Sequence, residues 1–269
     1  MKLKHLDNIR EWKALITEFP EYMYTHHRED TTGSKKYKSN CCMPIDIFDD
    51  KRKYTELLSG SKYYPPNVHL LHAEELVIVK KPKGSGGEGH NIIKVKDVDR
   101  SRLVNHDIQK LIDPLLINGK KFHLRTLMGY DSENIYLPWE DSLVLTNPNQ
   151  YTRGVITTEI TNTAFNGSKN IQNFSTVEAI LKENNLYDEF VIHMQGLKND
   201  LKQRYCSICK KQGSFDIHGL DIIISKGGSP VIMETNPYWY SGKDEGWEGK
   251  IKMFKRIMSE ISQKQCSDL

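Results

Sequence analysis

Apolar positions along the chain change period several times, and each change marks an element. Leu76-Val77-Ile78-Val79 is a short unbroken apolar run between Glu75 and Lys80, too short for a helix, and predicts a buried strand. Tyr63-Tyr64-Pro65-Pro66-Asn67 is a stop signal, so a new lobe is expected to begin near residue 67. A glycine-rich loop follows Lys80, and Ile92-Ile93-Lys94-Val95 then predicts its returning strand, with no helix after the glycines. Period two recurs over Lys121 to Met128, where Lys121, His123 and Arg125 alternate with Phe122 and Leu124, and a strand is predicted over Asn134 to Leu137. Helical period appears later. Ser175-Thr176-Val177-Glu178 carries a capping-box pattern, and Val191, Met194, Leu197, Leu201, Tyr205 and Ile208 predict one buried stripe on a helix from Phe190 to about Lys210. A last helix, from about Gly249 to Gln263, has Ile251, Phe254, Met258 and Ile261 on one face and lysines on the other. Hairpins joined to separate helices predict an α+β fold with mainly antiparallel sheets. Neither internal repeats nor long low-complexity tracts are evident, and the least regular stretch is a basic loop over residues 25–40.

Charge narrows the function classes. The net charge is +3, from 38 basic and 35 acidic residues, a balance that argues against nucleic acid as the main ligand while leaving room for a local anion site. The amino end lacks the apolar region of a signal peptide and no segment approaches the ~20 apolar residues of a membrane span, so a cytoplasmic or nuclear protein with no membrane partner is expected. Five cysteines fit free thiols better than a disulfide framework. Cys206-Ser207-Ile208-Cys209 would need Cys41-Cys42 nearby to make a zinc site, the plain alternative being unliganded helix thiols. No Ser-His-Asp order with an oxyanion loop suggests a hydrolase.

Three constellations carry chemistry. In Ile217 to Asn236, two apolar runs flank Gly227-Gly228, which predicts a two-residue hairpin turn and places Asp221 directly across from Glu234, with Asn236 further along the same face. Opposed carboxylates repel unless a cation lies between them, and hard oxygen ligands of this kind suit magnesium on nucleotide phosphates; a solvent-facing strand edge is the plainer reading. Lys80 closes a buried strand, where a charge needs a partner, and Gly84, Gly86, Gly87 and Gly89 after it would let backbone N–H groups approach phosphate oxygens. A flexible hairpin tip has the same composition, and neither a P-loop nor a Rossmann order is present. Finally, Gln109 to Arg125 contains an Asn118-Gly119 turn followed by Lys121, His123 and Arg125 on one face, which call for a polyphosphate or for bulk solvent.

Taken together and in order, V-I-V-K with its glycine loop, I-Q-K-L-I-D-P-L-L-I-N-G-K-K-F-H-L-R, I-T-N, G-L-D and E-T-N resemble the tubulin-tyrosine-ligase-like branch of the ATP-grasp superfamily, over residues 76–237. The resemblance implies a nucleotide held between two antiparallel lobes, with an amino-terminal region over 1–66, a central lobe over 67–118 and a carboxy-terminal lobe over 119–269. It implies that Lys80 with Gly86 and Gly87 contacts the phosphates of ATP, that Gln109 and Lys110 form the adenine hinge with Ile112 among the nucleotide-binding residues, and that Lys121, His123 and Arg125 line the nucleotide and substrate site. Asp221, Glu234 and Asn236 would hold magnesium, and Lys121, Arg125 and Asn236 would serve the reaction. The implied activity joins a carboxylate to an amine, adding a free amino acid to tubulin or another protein. Where the family has aspartate in K-F-D-L-R this chain has His123; Glu159 replaces the histidine of H-L-T-N, before Asn162; and Leu145 stands near a family arginine that holds the amino-acid substrate. The amino end also looks short for a tubulin-docking surface. A nucleotide-binding pseudo-ligase that docks on a cytoskeletal partner is the reading from a different class.

Overall fold

Strands predicted from the apolar runs form and sort into two antiparallel sheets, in a computed structural model that describes residues 18, 51–66, 71–81, 90–99, 106–159, 171–209, 215–236 and 247–267. The first sheet has β1 (Leu76–Lys80) between β2 (Asn91–Lys94) and β3 (Asp107–Lys110), and Ile78 lies opposite both Ile92 and Gln109. The second is seven-stranded. Its spine is β5 (Lys120–Asp131), which pairs with β4 (Leu116–Ile117), β6 (Ile135–Tyr136), β7 (Leu143–Thr146) and β9 (Phe215–Ile224); β8 (Ile171–Asn173) and β10 (Pro230–Asn236) close the two edges. Asn118 and Gly119 take φ of 51° and 74°, both left-handed, as a two-residue turn between β4 and β5 requires.

Alternation along β5 decides where the cores sit. Phe122, Leu124, Met128 and Tyr130 enter the main core with α3 (Ser175–Glu183) and α4 (Tyr187–Tyr205). The opposite face divides along its length: Leu127, with Leu143, Leu145 and Ile217, packs beneath α5 (Trp247–Ser267), whereas Lys121, His123 and Arg125 are left to face the first sheet. The α4 stripe is as predicted at Met194, Leu197, Leu201 and Tyr205, but Phe190 and not the half-buried Val191 begins it, and the helix ends at Tyr205, so Ile208 packs against the core from beyond it. On α5 the expectation that every lysine faces outward fails at Lys250, which is 2% exposed. The capping box at Ser175 also fails to form: Phe174 is the cap residue, without a side-chain bond, and Glu178 instead pairs with Lys182 at 2.7 Å.

The hairpin of β9 and β10 differs from its sequence reading in two ways that cancel. Ser225 N donates to Ser229 O and Gly228 N to Ser225 O, both at 2.8 Å, so the loop has three residues, Lys226 to Gly228, with Gly228 left-handed at φ 83°. Pro230 then faces Ile224 and Ile232 faces Ile222, until a bulge at Met233 restores the expected pairing of Glu234 with Asp221. Asn236 lies opposite Gly219.

The Tyr-Tyr-Pro-Pro stop is more than punctuation. After α1 (Lys51–Leu58), Tyr63 and Tyr64 are buried with Tyr54 and Leu58 in the main core, and Ile232 N on the edge strand donates to Tyr63 O at 2.8 Å. The expectation of free thiols holds for Cys206 but fails for Cys209, which is disulfide-bonded; with α4 ending at Tyr205, Cys209 leaves the helix surface and enters the core at 1% exposure. The basic loop, Cys41-Cys42, Gly86, Gly87 and Asn162 lie outside the described residues. Among the described residues, no helix is long and apolar enough to cross a membrane.

Candidate functional site

The cationic end of β5 and the end of β1 face each other across one cavity between the sheets. Lys80, Lys110, Ile112, Lys121, His123, Arg125, Asp221 and Glu234 all line it, so eight positions singled out from the sequence converge there. Asn236 and the side chain of Gln109 do not line this cavity.

Lys80 has the partners that a buried charge at a strand end demands. It is 5% exposed, and Nζ donates to Gln109 Oε1 at 2.6 Å and to Met233 O at 3.2 Å, the latter carbonyl presented by the bulge. This second bond crosses from one sheet to the other. The other end of the Gln109 carboxamide is held too: Nε2 donates to Asp107 Oδ2 at 2.8 Å and to Tyr64 OH at 2.5 Å. It lines a smaller neighbouring cavity with Tyr54, Tyr64, Asp107 and Thr235. Lys110, its neighbour, pairs with Glu75 at 2.5 Å.

On β5, Lys121 Nζ lies 2.5 Å from Oε2 of Glu159, the last residue of α2 (Ile156–Glu159), and both side chains are buried. Burial pushes the Lys121 ammonium below its ordinary value against the pull of Glu159. The other Glu159 oxygen accepts from Tyr151 OH at 3.0 Å and Gly154 N at 3.1 Å. Burial also drives His123 down to about 4, so its imidazole is neutral near pH 7, and Nε2 lies 3.6 Å from Asp221 Oδ1, beyond hydrogen-bond reach.

Arg125 holds Asp221 with two parallel bonds, Nε to Oδ1 at 2.8 Å and Nη2 to Oδ2 at 2.9 Å. Burial alone would raise the Asp221 carboxyl, but Arg125 leads His123 and Lys250 in holding it below its ordinary value. The sequence reading had each opposed carboxylate hindering ionisation of the other; Arg125 removes that conflict for Asp221. Among the described residues no group of three or more His, Cys, Asp and Glu could hold a metal by itself. Asp221 and Glu234 supply hard oxygens, and each carboxylate oxygen has a second lone pair, so the pair fits magnesium if a ligand completes the coordination.

Leu145 lies opposite His123 but belongs to the apolar cluster under α5, 3% exposed. Several cavity residues were not singled out as site residues. Ile78, Leu111, Ile223 and Met233 give it apolar walls from both sheets, and His90 and Glu159 add polar groups. The walls were legible in principle, because Ile78 and Lys80 share a face of β1 and Ile223 is two residues from Asp221 on β9. His90 ends the glycine loop and Lys250 lies far away in sequence, so no local pattern marks either.

Among curated proteins, no match is found. A family model described as the tubulin-tyrosine ligase family matches residues 11–238, which takes in both sheets and every residue of the cavity. The antiparallel two-sheet α+β architecture is that of the ATP-grasp fold which this family has. With most of its length matched, the chain belongs to the tubulin-tyrosine ligase family.

Proposed function

We propose that the protein is an ATP- and magnesium-dependent carboxylate–amine ligase that adds a free amino acid to a protein chain, tubulin or another. The observation that carries this reading is one cavity in which Lys80, Lys121 and Arg125 stand opposite apolar walls and beside Asp221 and Glu234. A flat base fits between Ile78, Leu111 and Ile223, leaving a polyphosphate to the cations. Asp221 and Glu234, with Asn236 along the same strand, would hold magnesium, whose chemistry is to neutralise charge on the phosphate oxygens. Arg125, held by Asp221, presents a fixed guanidinium to developing phosphoryl charge, and Lys80 is held for the same task. In the reaction, a substrate carboxylate oxygen attacks the terminal phosphorus of ATP, breaking the bond to ADP. The amine nitrogen then bonds to the acyl carbon, phosphate leaves and the amine proton is lost. Positioning and electrostatics suffice, with no side-chain nucleophile.

One observation favours a second reading, a nucleotide-binding module without turnover. Lys121 is already neutralised by Glu159, and His123, where the family has aspartate, is buried and neutral. Release of ADP separates the two. The protein is incubated with ATP, magnesium, mixed amino acids and either tubulin or cell lysate, followed by mass spectrometry of the acceptor. Amino-acid-dependent ADP release with a mass increase on a protein supports the ligase; ATP binding without release supports the module. Lys80→Ala is expected to weaken ATP binding at least about tenfold while the protein still folds and melts cooperatively, through loss of a charged hydrogen bond to phosphate. Unchanged affinity in that variant would remove Lys80 from the site.

A further inference from the structure

Gln109 is an unusual neighbour for a phosphate-binding lysine, because its carboxamide is fixed at both ends. A carboxylate accepts only and an ammonium donates only, so an amide between them has one permitted orientation. Asp107 Oδ2 accepts from Gln109 Nε2 at 2.8 Å, which turns Oε1 toward Lys80 Nζ, 2.6 Å away. The second Nε2 hydrogen goes to Tyr64 OH, and Thr55 closes the ring: its Oγ1 donates to Asp107 Oδ1 at 2.9 Å and stands 2.9 Å from Tyr64 OH. With the Thr55 proton given to Asp107, Tyr64 donates to Thr55. Burial, with Asp107 next, raises the Tyr64 phenol far above its ordinary value, so it stays a donor. Each of these groups except Lys80 lies behind the nucleotide cavity, and Asp107 and Gln109 are 4% and 2% exposed.

We propose that Asp107 is a positioning residue for Lys80, acting through the carboxamide of Gln109, and that Thr55 and Tyr64 fix this relay from the segment before the first sheet. It deepens the ligase reading and rests on it for the nucleotide. The relay orients the ammonium so that its bond to Met233 O and its reach into the cavity are set together. Asp107 also lies directly opposite Lys80 across the β1–β3 pair, so a test must separate the amide route from direct approach of the two charges.

Two measurements do so. In the first, MgATP affinity is measured by calorimetry for the wild type, Asp107→Asn, Lys80→Met and the double variant. Asp107→Asn removes the charge that enforces the amide orientation and is expected to weaken binding about tenfold, whereas in the Lys80→Met background it should change binding less than about twofold. An equal loss in both backgrounds, or none in either, overturns the proposal. In the second, without nucleotide, urea midpoints are compared for Asp107→Asn and Lys80→Met, singly and together, with Gln109 intact and with Gln109→Leu. Non-additive shifts with Gln109 that become additive with Gln109→Leu support the relay. Coupling that survives Gln109→Leu assigns it to direct strand-to-strand approach and overturns the relay. Failure of the wild type to bind MgATP would sink the ligase reading, and the urea series would still decide the relay.

Discussion

Cations in the cavity are held by three different means, and the differences set what each substitution does. Lys121 and Glu159 form a closed, buried pair, so Glu159→Gln leaves an ammonium in low dielectric and is expected to cost about 3 kcal/mol of stability. Glu234→Gln is expected to behave in the opposite way. Arg125 already compensates Asp221, so the loss of one charge should change metal-free stability by no more than about 1 kcal/mol, yet it should abolish magnesium-dependent turnover, because an amide is a poorer ligand for a hard cation. Paired melts, with and without MgATP, check both: ligand should raise the wild-type midpoint and raise that of Glu234→Gln far less. Equal rises would take Glu234 out of the site.

Titration separates two residues that nearly touch. His123 has a folded-state value of about 4, below an unfolded value near 6.5, so its contribution is present above pH 6.5 and is lost as pH falls toward 4, by up to about 3 kcal/mol. Asp221 is also depressed, but from a carboxylate value, so its contribution is lost only below about pH 4. Urea titrations across pH 7 to 4 should therefore show a slope in the wild type that is much reduced in His123→Gln, and an unchanged slope would show that the imidazole is hydrated.

Between elements, packing turns on how closely a strand and a helix can approach. A Cβ added at Gly129 would lie 2.5 Å from Ile257 Cγ2, so the strand can seat α5 only with glycine there. Gly129→Ala is expected to destabilise by about 1–3 kcal/mol, and Ile257→Ala should cost less in that background than in the wild type. Calorimetric melts of the four proteins give the comparison, and additive losses would place the strain elsewhere. Strand positions were legible because period-two alternation and unbroken apolar runs are local, as in Phe122 and Leu124 against Lys121, His123 and Arg125. The Met233 bulge was not, since no residue type announces it. The pairing of Asp221 with Glu234 emerged correctly only because a three-residue loop and a one-residue bulge offset each other. Helix ends misled for a related reason: a capping-box pattern at Ser175 lost to the Glu178–Lys182 pair.

Across the whole molecule, the lobe contacts were the least legible part. The sequence indicated which residues were chemically suited to a site, but Glu159 and His90 reach the cavity only through long-range packing. Nor did Tyr63-Tyr64 announce that residues before the first sheet would bond to the edge of the second through Tyr63 O and, by way of Tyr54 OH, to Thr235 Oγ1. The segment thus touches the supports of Lys80 and of the carboxylate strand alike.

The extra residue at Met233 makes chain length itself a variable of the site. Deleting Met233 would let β10 run straight, and Glu234 would inherit the place opposite Asp221, so the carboxylates would still meet. What disappears is one main-chain carbonyl, the seat of Lys80 on the second sheet. Such a shortened protein should fold and keep its acidic pair while holding MgATP at least about tenfold more weakly, a loss that no side-chain replacement at position 233 would reproduce. Full affinity after the deletion would mean that the two sheets do not depend on that bond. In a family compared by insertions and deletions instead of by substitutions, the length of this hairpin becomes a readable character.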